Sequence, residues 1–202
     1  MRCFWQRIFF VTSQFKNKDR ITMKKTFYLN ILLLLAGQVV YGQSENLKLV
    51  FIRHAEKPLK GSNLTCQGLN RSLKIPVVLV AKFGVPDFLM APALGLGDTT
   101  KHSRMFQTIA PLAMKYNLPI ATTYTEKQFT DIAADLKNRT GTTIITWEHK
   151  AIPQIIKALG YQQPLTWPDD DYDSIWIITF KNGIMMLTKD KENIVPSQNC
   201  PF

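Results

Sequence analysis

The chain has 202 residues, of which 46% are hydrophobic and 20% are charged, and it contains only three Cys. These values describe a globular protein of one domain and exclude a disordered chain, a collagen and a disulfide-dense scaffold. The formal net charge is +10, but residues 1–42 hold seven basic residues and one acidic residue. The rest of the chain is only mildly basic and has no Lys/Arg run, so the sequence does not predict a nucleic-acid partner.

A secretory signal peptide is predicted over residues 23–42. It begins with the cationic Met-Lys-Lys at Met23, continues with a mostly apolar stretch of 15 residues, 27–41, and ends with Val40 and Gly42 at the positions that a signal peptidase reads. Because about 20 apolar residues are needed to span a bilayer, we expect cleavage after Gly42. The sequence therefore predicts an exported protein, periplasmic or secreted, without a stable membrane anchor.

The remaining chain is predicted as one domain, 43–202, and residues 1–22 are interpreted as an N-terminal extension or a misassigned start. Export permits a disulfide between Cys66 and Cys200. The sequence does not show whether the two lie close enough to pair, so a bridge and two free thiols stay open. With three His and no Cys-x-x-Cys motif, neither a metal site nor a cofactor is predicted.

Strands and helices alternate along this domain. The hydrophobic pattern predicts strands over 47–52, 88–92 and 142–147, and helices over 68–83 (broken or kinked at Pro76), 103–116, 127–138 and 151–159. Two final strands, 174–180 and 184–188, are joined by Lys-Asn-Gly, and Asn-Gly between apolar runs is a strong hairpin signal. We expect an α/β three-layer sandwich, with a mostly parallel central sheet, helices on both faces and a C-terminal hairpin at the edge.

Two of the three His follow predicted strands directly. Arg53 and His54 follow the first strand, and Glu148 and His149 follow the strand that ends at residue 147. Ligands bind just past the carboxyl ends of strands in such a sheet. Arg104 opens a helix whose free amides also favour an anion, and the forked guanidinium groups of both Arg suit a phosphate or carboxylate. The sequence therefore predicts a phosphate pocket without a P-loop.

Four motifs stand in chain order. They are Arg-His-Ala-Glu-Lys-Pro at 53–58, Leu-Thr-Cys-Gln-Gly-Leu-Asn-Arg at 64–71, Arg-Met-Phe-Gln-Thr at 104–108 and Trp-Glu-His at 147–149. Together they resemble the histidine phosphatase superfamily, the phosphoglycerate mutase-like proteins, in its Arg-His-Ala-Glu-Lys-Pro variant. Ala55 stands where the family usually has Gly, and Ala-Pro at 91–92 replaces its usual Ser-Pro-x-x-x-Arg.

The resemblance implies a role for each pocket residue. His54 would be the nucleophile that forms a phosphohistidine, while Arg53, Arg104 and His149 would bind the phosphoryl oxygens. The implied activity is an exported, metal-independent phosphomonoesterase that acts on a small phosphorylated substrate. A mutase-like phosphotransferase and a non-catalytic phosphate-binding protein are the alternatives.

The general acid is less clearly marked than the nucleophile. Glu126 is favoured because it precedes a helix in the region where many relatives place their acid. Glu148 is the alternative, although its side chain would point elsewhere if strand alternation persists. The run of three Asp at 169–171 lacks the spacing of a calcium loop and is interpreted as a solvated turn, and His102 is interpreted as a surface residue.

Overall fold

Six strands form one mixed sheet. A computed structural model describes residues 46–97 and 99–200, so the predicted signal at 23–42 and the extension at 1–22 lie outside the described residues. The strands are β1 (Leu47–Arg53), β2 (Phe88–Met90), β3 (Ile120–Ala121), β4 (Gly141–Trp147), β5 (Ser174–Lys181) and β6 (Ile184–Lys191). Their order across the sheet is β3-β2-β4-β1-β5-β6. The first four strands are parallel to their neighbours within this group, whereas β5 is antiparallel to β1 and to β6.

Helices cover both faces of this sheet. They are α1 (Cys66–Phe83), α2 (Ser103–Tyr116), α3 (Phe129–Lys137) and α4 (Ile152–Ala158). Side chains of β1 alternate between the two faces, so Val50 and Ile52 pack with α1 and α2, while Leu49 and Phe51 pack with α3 and α4. The predicted three-layer α/β sandwich with a C-terminal hairpin is confirmed. No helix within 46–97 and 99–200 is long and apolar enough to cross a bilayer.

Local expectations differ from the structure at two points. Helix α1 continues through Pro76 without a break, because the burial of Ile75, Pro76 and Leu79 outweighs the missing backbone donor. Strand β3 was not predicted, since two half-buried residues give no readable period. The hairpin turn does follow the prediction, with positive φ at both Asn182 and Gly183.

Cys66 and Cys200 form a disulfide that closes a sequence separation of 134 residues. Cys66 is the first residue of α1, and the bond holds the last described segment of the chain against that helix. The Asn70 amide supports the same contact by donating hydrogen bonds to the carbonyl oxygens of Ser197 and Asn199. The pairing that the sequence leaves open is therefore present in the structure.

Candidate active site

The carboxyl ends of β1 and β4 lie side by side. Arg53 and Trp147 are paired in the parallel register of the two strands, and the His54 amide extends the ladder by donating to the Trp147 carbonyl at 3.1 Å. His54 and His149 each lie within two residues of these strand ends. The structure thus places both imidazoles at one edge of the sheet.

His54 is buried as a neutral imidazole. The residue is only 1% exposed, and its Nδ1 is 2.8 Å from the carbonyl oxygen of Ala55. Because a carbonyl only accepts, we assign the proton to Nδ1 and the lone pair to Nε2. Burial lowers the pKa of His54 to about 3; the hydrogen bond with Ala55 opposes this shift, and electrostatic interaction with Arg53, Arg104 and His149 adds to it. At neutral pH the residue therefore offers a nucleophilic nitrogen.

The guanidinium groups of Arg53 and Arg104 each keep an N–H donor that no described residue uses. Arg53 is buried, with its Cζ atom 3.9 Å from the centre of the Tyr172 ring, and Nη1 of Arg104 donates to the Gly61 carbonyl at 3.1 Å. The Nε atoms of both Arg are buried, and neither has a hydrogen-bond partner in the part of the chain that the structure describes. An unpaired buried donor costs about 1–3 kcal/mol. These N–H groups are therefore suited to bind an anion.

His149 is buried between two carboxylates. Its Nε2 is 2.6 Å from Oδ1 of Asp169. Oε1 of Glu148 lies 2.6 Å from Nδ1 but outside hydrogen-bonding geometry. Asp169 and Asp170 lie in an exposed turn, as the solvated-turn interpretation expects, but Asp169 also binds a pocket residue.

The position of this acidic turn follows from the sheet. Because β5 is antiparallel to β1, with Ile175 opposite Ile52, the residues that precede β5 must lie at the carboxyl end of β1. For this reason Asp169 contacts Arg53 and His149. Tyr172 contacts Arg53 and lies near His54. The sequence predicts the C-terminal hairpin but not that its first strand lies beside β1. Without that neighbour, the position of the acidic turn next to the pocket could not be predicted.

Glu126 and Glu148 face one cavity of about 400 Å³ that is also lined by Phe129. The Glu126 carbonyl accepts a hydrogen bond from the Trp147 indole, and its carboxylate Oε2 lies 3.1 Å from Nδ1 of His102. His102 is therefore a partly exposed residue that contacts Glu126.

The Glu148 side chain is held by backbone groups. Its Oε2 accepts from the amides of Lys150 and Ala151 at 2.8 and 3.1 Å. Strand alternation does not predict this direction, because β4 ends at Trp147 and a turn begins. Glu148 thus lies next to His149 in space as well as in sequence.

Several motif residues support the turn that follows His54. Thr108 Oγ1 accepts from the Ala55 amide at 2.9 Å, and the Arg71 Nε donates to the Glu56 carboxylate at 2.9 Å. Gly68 approaches the Glu56 backbone so closely that a Cβ atom would collide with it. Sequence reasoning missed these supporting roles, because each depends on a contact between separate motifs.

The arrangement combines a neutral nucleophile with the donors of Arg53, Arg104 and His149, and the carboxylates of Asp169 and Glu148 lie beside His149. Such a set can bind a tetrahedral oxyanion and stabilise charge that moves onto it. Across 46–97 and 99–200, no group of three or more His, Cys, Asp or Glu side chains is arranged to hold a metal ion.

The domain has the fold of a known phosphatase. The protein histidine phosphatase SixA, solved in complex with tungstate, superposes with a TM-score of 0.54 at 13% identity, over 72% of this chain and 97% of SixA. An Agrobacterium tumefaciens protein assigned as phosphohistidine phosphatase SixA gives 0.48 at 13% identity, over 76% and 100%. An Escherichia coli protein assigned as an alpha-ribazole-5'-P phosphatase gives 0.49 at 10% identity, over 77% and 98%. No family model matches the sequence, and no curated protein matches it.

Proposed function

We propose that this protein is a metal-independent phosphomonoesterase that works through a phosphohistidine at His54. The observation that carries the proposal is the burial of the His54 imidazole at the strand ends that also hold Arg53 and His149, with Arg104 near enough to interact with it electrostatically. The unpaired Nε donors of the two Arg add to it. SixA, which shares the fold, is named a protein histidine phosphatase and was solved with tungstate, a tetrahedral oxyanion.

In this mechanism Nε2 of His54 attacks phosphorus and the bond to the ester oxygen breaks. Arg53, Arg104 and His149 bind the phosphoryl oxygens and stabilise their charge during transfer. The leaving oxygen takes a proton from a carboxylic acid, and the product alcohol departs. Water then attacks the phosphohistidine and gives a proton to the carboxylate left by the first step, the N–P bond breaks, and inorganic phosphate, neutral His54 and the carboxylic acid result. Because His54 is almost fully buried, we propose that the substrate is a small phosphorylated molecule.

Hydrolysis of an aryl phosphate, with and without a chelator, tests the activity. We expect turnover that the chelator does not reduce. Binding of phosphate with no turnover at any pH from about 4 to 8, a range over which His54 stays neutral, would favour the non-catalytic alternative.

Glu126 is our candidate for the general acid. It faces the cavity that it shares with Glu148, and its carboxylate bonds to a partly exposed His102. By contrast, one Glu148 oxygen is already committed to two backbone amides. Glu126 is thus held by one partly exposed side chain instead of by backbone amides, and we propose that it leaves this contact to protonate the leaving oxygen.

We expect Glu126→Gln to lower kcat for an alkyl phosphate by about a hundredfold or more, with a much smaller loss for p-nitrophenyl phosphate. The difference arises because a poor leaving group needs a proton from the enzyme and a good one does not. Steady-state kinetics on both substrates measure it, with Glu148→Gln as the matched control. If Glu148→Gln shows the leaving-group dependence and Glu126→Gln does not, Glu148 is the acid.

We also propose that the protein is exported. The Cys66–Cys200 disulfide supports this, because such bonds persist in oxidising compartments. Expression of the full chain in a Gram-negative host, followed by N-terminal sequencing, should find a periplasmic or secreted protein that begins at Gln43. Recovery of the uncleaved chain from the cytoplasm would contradict export.

A further inference from the structure

The segment Trp167–Tyr172, which we call the acidic strap, lies across the proposed phosphate pocket. Nη1 of Arg53 donates to the carbonyl oxygens of Asp169 and Asp171 at 2.6 and 3.2 Å. The Tyr172 ring covers the same guanidinium. The Asp169 carboxylate bonds to Nε2 of His149 at 2.6 Å. One residue of the strap therefore contacts two of the four groups proposed to bind or attack the phosphoryl group.

The two ends of the strap are fixed. Trp167 is buried against Trp176, with ring centres 4.6 Å apart, and its indole donates to the Asp171 carbonyl at 2.9 Å. The Asp171 carboxylate accepts hydrogen bonds from the amides of Asp173 and Ser174. The backbone of the strap is thus held in place over Arg53.

The Asp169 side chain differs from these fixed groups. It is 79% exposed, so its packing does not prevent rotation away from His149. The hydrogen bond to His149 lowers the pKa of this carboxyl, and the charge of Lys150 acts in the same direction. At neutral pH the group is therefore an anion that competes for the donor of His149.

We propose that Asp169 is a specificity-determining residue whose carboxylate binds His149 and is displaced by the phosphoryl group of a substrate. This inference rests on the proposed function, because it takes His149 as a phosphoryl ligand. Only a fraction of the molecules then has His149 free, and the apparent affinity for a phosphoryl anion falls by that fraction. Asp169 thereby disfavours weakly charged ligands, which gain too little from the pocket to replace a carboxylate.

The test uses inorganic phosphate and titration calorimetry on the protein that begins at Gln43. We expect Asp169→Ala to bind phosphate about tenfold more tightly than the unmodified protein, because the internal competitor is gone. Asp170→Ala is the matched control, since it removes the same charge from the next, exposed residue. Its affinity should stay within about twofold of the unmodified protein, because the effect requires a direct contact. Product inhibition by phosphate should become stronger in Asp169→Ala by the same factor.

Other outcomes separate this inference from the proposed function. If all three proteins bind phosphate equally, or if Asp169→Ala binds it more weakly, the proposed role of Asp169 is overturned. The proposed function stands in that case if the unmodified protein hydrolyses an aryl phosphate. If both variants bind more tightly by the same factor, the cause is general charge and the inference also fails. If none of the proteins binds phosphate and none hydrolyses an aryl phosphate, the inference and the proposed function fail together.

Discussion

His54→Ala is expected to reduce turnover of an aryl phosphate at least about ten-thousand-fold, because the substitution removes the imidazole that takes the phosphoryl group. The structure explains this dependence. His54 presents a lone pair at Nε2 as the result of burial and of the Nδ1 contact with Ala55. Initial rates at saturating substrate measure the loss.

Two controls make this result specific. His54→Gln keeps most of the side-chain volume, so it should be as inactive as His54→Ala but lose less stability. His102→Ala should retain most of the turnover, because His102 contacts Glu126 and an aryl leaving group needs little acid. A loss of less than about tenfold in both His54 variants, with circular dichroism showing a folded protein, would exclude His54 as the nucleophile.

Arg71→Met is expected to lower the free energy of unfolding by about 3–5 kcal/mol, because breaking a buried ion pair leaves charge uncompensated. Arg71 is buried and contacts the carboxylates of Glu56, Asp173 and Glu192 at 2.9, 3.2 and 2.7 Å. Urea denaturation at about pH 8, above the pKa of Glu192, measures the change. Lys82→Met on the same helix is the control: its ion pair with Asp190 is exposed and should contribute no more than about 1 kcal/mol. Equal effects of the two substitutions would contradict this role of Arg71.

The same cluster predicts a pH dependence of stability. Burial raises the pKa of Glu192 to about 7, although Arg71 opposes the shift. A carboxyl whose pKa is raised on folding stabilises the native state below its unfolded pKa of about 4.3, and this contribution is lost as the pH rises through its folded pKa. The free energy of unfolding should therefore decline between about pH 4.5 and pH 7, and Glu192→Gln should reduce that decline. An unchanged decline in Glu192→Gln would assign the effect to other groups.

Much of the fold follows from local patterns. The alternation of short apolar runs with helical periods predicts the three layers of the domain, and the Asn-Gly pair predicts the final hairpin. Because parallel strands share a carboxyl edge, the positions of His54 and His149 after two strands were enough to place them together. The first helix begins earlier than predicted, at Cys66, and continues through Pro76. Packing of its buried face stabilises it there despite the proline.

The remaining site residues depend on strand order, which a single sequence does not encode locally. Asp169 contacts His149 because β5 lies antiparallel beside β1, and no property of an Asp run indicates that neighbour. Arg71 contacts acidic side chains from distant parts of the chain, because the order of the strands brings those segments together. Glu148 contacts His149 because β4 ends at Trp147, as predicted, and the turn that follows no longer alternates side chains between the two faces of the sheet.

Trapping of the phosphoenzyme tests the central claim most directly. The enzyme is mixed with a radiolabelled aryl phosphate, quenched in alkali with detergent and analysed by peptide mapping. We predict a label on the peptide that contains His54, stable to alkali, lost in mild acid and absent from His54→Ala. Turnover with the label on another residue, or with no labelled protein at any time, would contradict the account.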